Sequence, residues 1–181
     1  MKSKRLLTVL KLGVIFLFGF SILVTEVNAD VISENEVPIF TKYGREIGLS
    51  NMSISSIVQD KNGFMWFGTQ GGLNMYDSNS MEVFAHDPFS SDLLLNNLIQ
   101  TMYYDQDEHV IWIGTYQGLS KYDIDKNTFK NYTVEGNGLS NPVIVSVTKD
   151  NEDNIWIGTL EGLNRLNTTS DEIETYEIPG D

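Results

Sequence analysis

The chain has 181 residues, with 25 acidic against 12 basic groups, a net charge of −13 and no cysteine. This composition excludes disulfides, thiolate metal sites and cysteine nucleophiles, and its negative charge repels nucleic acid and anionic lipid surfaces. The length suits one domain.

The first element is a leader. Lys2, Lys4, Arg5 and Lys11 precede an apolar run from Leu12 to Val24, and Val27-Asn28-Ala29 follows. Basic, apolar, small is the order of a secretory signal peptide, so residues 1–29 are expected to be cleaved after Ala29. The alternative, an uncleaved anchor, needs roughly 20 apolar residues, and Lys11 leaves this run short. The mature chain, 30–181, then holds 8 basic and 24 acidic residues, a net −16 that serves solubility. An exported chain without a disulfide suits a bacterial envelope.

The mature chain repeats itself three times. Trp66-Phe-Gly-Thr-Gln-Gly-Gly-Leu-Asn-Met-Tyr-Asp, Trp112-Ile-Gly-Thr-Tyr-Gln-Gly-Leu-Ser-Lys-Tyr-Asp and Trp156-Ile-Gly-Thr-Leu-Glu-Gly-Leu-Asn-Arg-Leu-Asn contain every tryptophan of the chain, 46 and 44 residues apart. Counting back fifteen residues from each Trp finds Asn51, Asn97 and Asn141 after Leu49, Leu95 and Leu139. Between lie an apolar stretch and an acidic turn: Asp60-Lys-Asn-Gly63, Asp105-Gln-Asp-Glu-His109 and Asp150-Asn-Glu-Asp-Asn154. Downstream, Phe84, Phe129 with Tyr132, and Tyr176 close each copy. The repeats run near 49–90, 95–134 and 139–178.

Each copy predicts four short strands. In the first they are Ser53–Gln59, Phe64–Thr69, Gly72–Tyr76 and Met81–Ala85, separated by turn residues. Leu93–Met102 comes nearest to a helical period, but alignment with the other copies makes it a strand. Upstream, Ile39-Phe-Thr-Lys-Tyr43 matches Phe129-Lys-Asn-Tyr-Thr133, so the mature chain opens with a lone fourth strand.

Large apolar residues occupy both parities of the second strand, as in Phe64-Met-Trp-Phe, so both sheet faces are buried. Four-stranded sheets buried on both faces at this period are propeller blades. The fold class is all-β: a partial β-propeller of three blades plus a closing strand. Its anchors are Trp66, Trp112 and Trp156; Gly68, Gly114 and Gly158 on the same face, where a neighbouring blade approaches; and Gly72, Gly118 and Gly162, where a turn or bulge needs them. Sameness in every copy marks the tryptophans as core rather than ligand platforms.

This motif, Trp-Ile-Gly-Thr-x-x-Gly-Leu-x-x-Tyr-Asp preceded by Leu-Ser-Asn, resembles the two-component regulator propeller repeat over residues 38–178. The resemblance implies an extracytoplasmic sensor: propellers, then a β-sandwich, a membrane helix and a histidine kinase or diguanylate cyclase output. It implies a small extracellular ligand, commonly a glycan fragment, and a place on the periplasmic or outer face of a bacterial membrane. The sandwich, the membrane helix and the output motifs lie outside these residues, so an N-terminal fragment is expected, with the remaining blades of the parent chain as its neighbours.

No catalytic, cofactor or metal site is expected. The two histidines, His86 and His109, sit at different points of their repeats, and His109 is expected to be a solvated turn residue. The acidic turns space oxygens as calcium likes, but lack a later bidentate Glu and read as Asp/Asn-rich hairpin turns. Ligand contacts are expected from what differs among repeats, above all the loop Glu82–Leu94. Two other classes are weighed against the sensor. A secreted lyase or glycosidase would need its catalytic groups in other blades. A structural module would self-associate, for instance as a homodimer, because three blades leave two apolar faces open.

Overall fold

The computed structural model describes Lys42 and residues 44–176. The chain divides into two units, Met1–Phe40 and Thr41–Asp181, and the first falls wholly outside the described residues. The leader and, but for Lys42, the expected strand Ile39–Tyr43 therefore lie outside them.

Three antiparallel sheets of four strands follow one another in chain order. Blade 1 holds β1 (Ile54–Gln59), β2 (Met65–Thr69), β3 (Gly72–Tyr76) and β4 (Met81–Phe84). Blade 2 holds β5 (Ile99–Asp105), β6 (Val110–Thr115), β7 (Leu119–Asp123) and β8 (Thr128–Tyr132). Blade 3 holds β9 (Ile144–Lys149), β10 (Asn154–Thr159), β11 (Gly162–Asn167) and β12 (Glu172–Tyr176). Strands pair strictly with their chain neighbours, as propeller blades do. In each blade the first pair skips one residue, at Ser55, Gln100 or Val145, a recurring bulge. The first strands sit side by side, and the Ser55 and Ser56 hydroxyls reach β5: Ser55 Oγ donates to the Ile99 carbonyl (2.8 Å) and Ser56 Oγ accepts from Met102 N (3.2 Å).

Two elements depart from the sequence reading. Leu93–Leu98 is irregular, and the strand starts at Ile99; only Leu94 of the earlier stretch turns fully inward. One helical turn, α1 (Val134–Asn137), links blades 2 and 3, capped by Thr133, whose hydroxyl accepts from Gly136 N. Its four residues are too few to show a period.

The core lies in two joints between blades. In the first, Trp66 and Leu73 of blade 1 meet Ile99, Met102, Ile111, Ile113 and Tyr122 of blade 2. In the second, Trp112, Leu119 and Tyr132 of blade 2 meet Ile144, Val147, Ile155, Ile157 and Leu166 of blade 3. The expected burial of both faces holds along all of β6. Met65 and Phe67 of β2, and Trp156 and Gly158 of β10, are only half-buried.

Trp66, Gly68, Trp112 and Gly114 sit at these joints, whereas Trp156 and Gly158 lie on the face of blade 3 that neither joint covers. Trp66 stacks at a tilt on Phe84, Trp112 on Tyr132 and Trp156 on Tyr176, with centroids 5.8, 6.0 and 5.4 Å apart. Phe129 faces the other way, onto Tyr122. A Cβ on Gly68 would stand 2.7 Å from Ile99 Cγ2, and one on Gly114 would stand 2.7 Å from Ile144 Cγ2. Gly72, Gly118 and Gly162 have φ of 114°, 137° and 133°, open to glycine alone at little cost.

Candidate functional site

The turn between second and third strands is built the same way three times. Thr69, Thr115 and Thr159 donate through Oγ1 to the carbonyls of Gly72, Gly118 and Gly162 (2.9, 2.8 and 2.9 Å) and accept from the N–H of Gly71, Gln117 and Glu161. The residue after each Thr is then pinned at the tip. Gln70, Tyr116 and Leu160 donate their N–H to the carbonyls of Ser53, Leu98 and Val143 at the start of each first strand. These tips and the connections between blades lie at one end of the sheets, because β4 finishes beside the start of β3.

Scaffold and variation separate at this end. The pinning is constant, whereas the side chains change from Ser53 and Gln70 to Leu98 and Tyr116, then Val143 and Leu160. Met52, Leu98, Tyr116, Val134 and Leu160 are exposed, and Phe89 in the long loop is 97% exposed. Between blades 2 and 3 a groove of about 600 Å³ opens, lined by Leu95, Gln117, Thr133, Val134, Glu135 and Pro142. Its lining pairs the apolar Leu95, Val134 and Pro142 with the polar Gln117, Thr133 and Glu135. A second groove, about 650 Å³, runs along the outer strands of blade 3 and is polar; its Arg165 is engaged with Glu174 at 2.7 Å.

The long loop is held in shape. Asn131 Nδ2 donates to the Ser91 and Leu93 carbonyls (3.0 and 2.9 Å), and His86 Nδ1 lies 3.0 Å from the Leu94 carbonyl. The backbone N–H of His86 donates to Asn97 Oδ1 at 2.7 Å.

The asparagine series shifts by one residue in blade 2. Asn51 and Asn141 accept from the N–H two residues on, and in blade 2 Asn96 does so, toward Leu98. Asn74 and Asn164 accept from Ser50 N and Ser140 N, and Ser120 Oγ accepts from Leu95 N in the same place. Leu94, not Leu95, is therefore the partner of Leu49 and Leu139, and all three are buried. Counting back from Trp112 lands one residue late because the extra residue of this repeat lies in the acidic turn, where it breaks no ladder bond. The buried Asn74, Ser120 and Asn164 escaped the sequence reading; their signal is the polar residue two places after Gly72, Gly118 and Gly162.

At the opposite end the acidic turns are structural. Asp60 accepts from Asn62 N, Phe64 N and Trp66 Nε1, and Asp150 from Glu152 N, Asn154 N and Trp156 Nε1. Burial raises the Asp150 carboxyl, but the Asn154 and Trp156 side chains and the turn N–H groups outweigh it and hold its pKa at about 2. Among the described residues no group of three or more His, Cys, Asp or Glu side chains is placed to hold a metal.

His109 is not the solvated turn residue expected. It is 2% exposed, with φ of 54°, and its Nδ1 meets Asp125 Oδ1 at 2.7 Å. It takes the left-handed position that Gly63 and Asp153 take in the other turns, and its ring lies edge-on to Tyr104. Its Nε2 is buried without a hydrogen-bond partner.

Against this geometry the comparisons are specific. Residues 48–71, 93–117 and 138–161 match the family described as "Two component regulator propeller". The chain carries three two component regulator propeller repeats. The matched segments begin 45 residues apart, the register the asparagines follow, and the second is one residue longer. This propeller superposes on the extracellular domain assigned to the hybrid two component system BT3049 of B. thetaiotaomicron with a TM-score of 0.69 and 29% identity, covering 76% of this chain and 20% of that one. Over 80 residues it is 32% identical to histidine kinase P4 of Formosa agariphila, 44% of this chain and 6% of the kinase. Virginiamycin B lyase from Staphylococcus aureus shares the fold alone: TM-score 0.54, 15% identity, over 71% of this chain and 42% of the lyase. The propeller thus spans a small part of the signalling proteins it matches. No helix among the described residues is long and apolar enough to cross a membrane.

Proposed function

We propose that this regulator propeller is a non-catalytic, extracytoplasmic ligand-sensing part of a bacterial two-component or cyclic-dinucleotide receptor. On this reading it binds a small extracellular molecule at the end where the second-to-third-strand turns lie. One observation supports it above others: a hydrogen-bonded scaffold identical in three blades carries side chains that differ at each tip, from Gln70 to Tyr116 to Leu160. Rigid elements with variable tips suit recognition. The likeness to an extracellular domain at 29% identity supports the side of the membrane. A glycan fragment, with aromatic and aliphatic side chains against its ring faces and Gln117 and Glu135 for its hydroxyls, is the ligand class this rim suits.

A panel of soluble oligosaccharides, screened by thermal shift and titration calorimetry on the whole chain, tests this. The expected result is one class of binder whose affinity falls at least tenfold in Tyr116→Ala without a change in melting temperature. No binder in the panel, or one indifferent to Tyr116 and Leu160, overturns the site.

A further inference from the structure

The connections leading into blades 1 and 3 are one device built twice. Each is a single helical turn, Arg45–Ile47 before blade 1 and α1 before blade 3, and each ends at a left-handed glycine, Gly48 with φ of 94° and Gly138 with φ of 81°. A buried leucine follows, Leu49 or Leu139. Next comes a serine whose N–H donates to the buried asparagine of the third strand, Ser50 to Asn74 and Ser140 to Asn164. Counting back three residues from the glycine finds Arg45 in one turn and Glu135 in the other. The turn before blade 1 carries both signs, Arg45 beside Glu46, whereas the turn before blade 3 has Gly136 in the place of Glu46 and carries only the acid. The frame is kept and the charge on it is changed.

The changed charge faces the groove between blades 2 and 3. Glu135 is exposed there with the apolar Leu95, Val134 and Pro142. Among the described residues no hydrogen bond or ion pair engages its carboxylate. The Lys and Arg residues of blades 2 and 3 are committed elsewhere: Lys121, Lys126, Lys130, Lys149 and Arg165 are each paired with a carboxylate outside the groove. Arg165, which lines the neighbouring groove with Gly136 and Asn137, is held by Glu174 at 2.7 Å. An unpaired carboxylate with no cation free to answer it attracts a positive group on a ligand and repels a negative one, more strongly where apolar neighbours exclude water.

On the reading of this groove as the ligand site, we propose that it selects among saccharides by charge, with Glu135 as the specificity-determining residue. It takes an amino-sugar oligosaccharide through a free ammonium group, holds the N-acylated sugar more weakly and rejects a uronic-acid oligosaccharide.

Titration calorimetry of the whole chain with the tetramers of glucosamine, N-acetylglucosamine and galacturonate, in mildly acidic buffer at low and high salt, tests the selection. The glucosamine tetramer should bind about fivefold tighter than its N-acetylated form, with the galacturonate tetramer weakest, and the preference should shrink with salt because the pair is solvent-accessible. Glu135→Gln should bring the ratio of the first two affinities to about one, and Glu135→Arg should place the galacturonate tetramer above the glucosamine tetramer. Arginine already stands in the equivalent turn at Arg45, so Glu135→Arg should melt as the parent does. Unselective attraction to the chain's 25 acidic groups would survive the loss of one of them. A preference that persists in both variants therefore overturns the proposal, as does a galacturonate tetramer bound as tightly by the parent as the glucosamine tetramer. Binding that still falls in Tyr116→Ala then keeps the site and loses only the selection. No binding of any tetramer overturns the groove as the ligand site, and the selection with it.

Discussion

The indole Nε1 of Trp66 donates to Asp60 Oδ2 at 2.9 Å, across six residues of the hairpin turn. Trp156 and Asp150 repeat this bond at 2.7 Å. Asp105 stands seven residues before Trp112, and that single added residue turns its carboxylate away. The Trp112 Nε1 is left buried without a partner, with the Lys121 ammonium 5.1 Å above the ring. A bond joining turn to core twice is therefore missing once, for a reason of length alone.

Trp66→Phe should destabilise the propeller by about 2 kcal/mol more than Trp112→Phe, because the first leaves Asp60 Oδ2 buried without its indole partner and the second removes an N–H that was already unsatisfied. Urea denaturation of the two variants checks this. Equal losses would show that the latch contributes nothing.

The carboxylate freed by the longer turn is used elsewhere. Asp105 meets Lys149 of blade 3 at 3.1 Å, and Lys149 also reaches Asp107 and Asp153 at 3.3 and 2.9 Å. Lys149 and Asp105 are both nearly buried. Lys149→Met should destabilise by about 3 kcal/mol by leaving Asp105 unpaired, and adding Asp105→Asn should recover most of the loss. A double-mutant cycle by chemical denaturation measures this coupling.

Acid sensitivity should come in part from Asp150. Its folded pKa, about 2, lies below the unfolded value, so its contribution is complete above about pH 4 and is lost as pH falls toward 2. Asp150→Asn should therefore be less stable than the parent at pH 6 and lose less between pH 4 and 2. Denaturation midpoints across that window decide it, and parallel curves for the two proteins would count against it.

The glycines two residues after each Trp should not be equivalent. Gly68→Ala drives a methyl into Ile99 and should destabilise the first joint, whereas Gly158→Ala should leave folding unchanged or slightly firmer, since alanine orders a strand at less entropic expense than glycine. Thermal melts of the two variants compare them.

The repeat by itself determined the three blades described, the four strands in each, the burial of Trp66 and Trp112 and the need for glycine at Gly68 and Gly114. These follow from local periodicity and turn chemistry, and threefold recurrence averages out the noise of any one copy. The tertiary structure alone decided which residue fills a role when one copy is a residue longer. Fifteen positions separate Asn from Trp, and no local rule says where the gap falls; the ladder of β5 on β6 pushes it into the turn and gives the Asx role to Asn96 in place of Asn97. It also decided that His109 is buried against Tyr104 and Asp125, and that each joint pairs a Trp face with an isoleucine face. The joint contacts link residues some tens of positions apart and exist only once twisted sheets lie one against the next, whereas the His109 contacts form inside blade 2, where its turns come together.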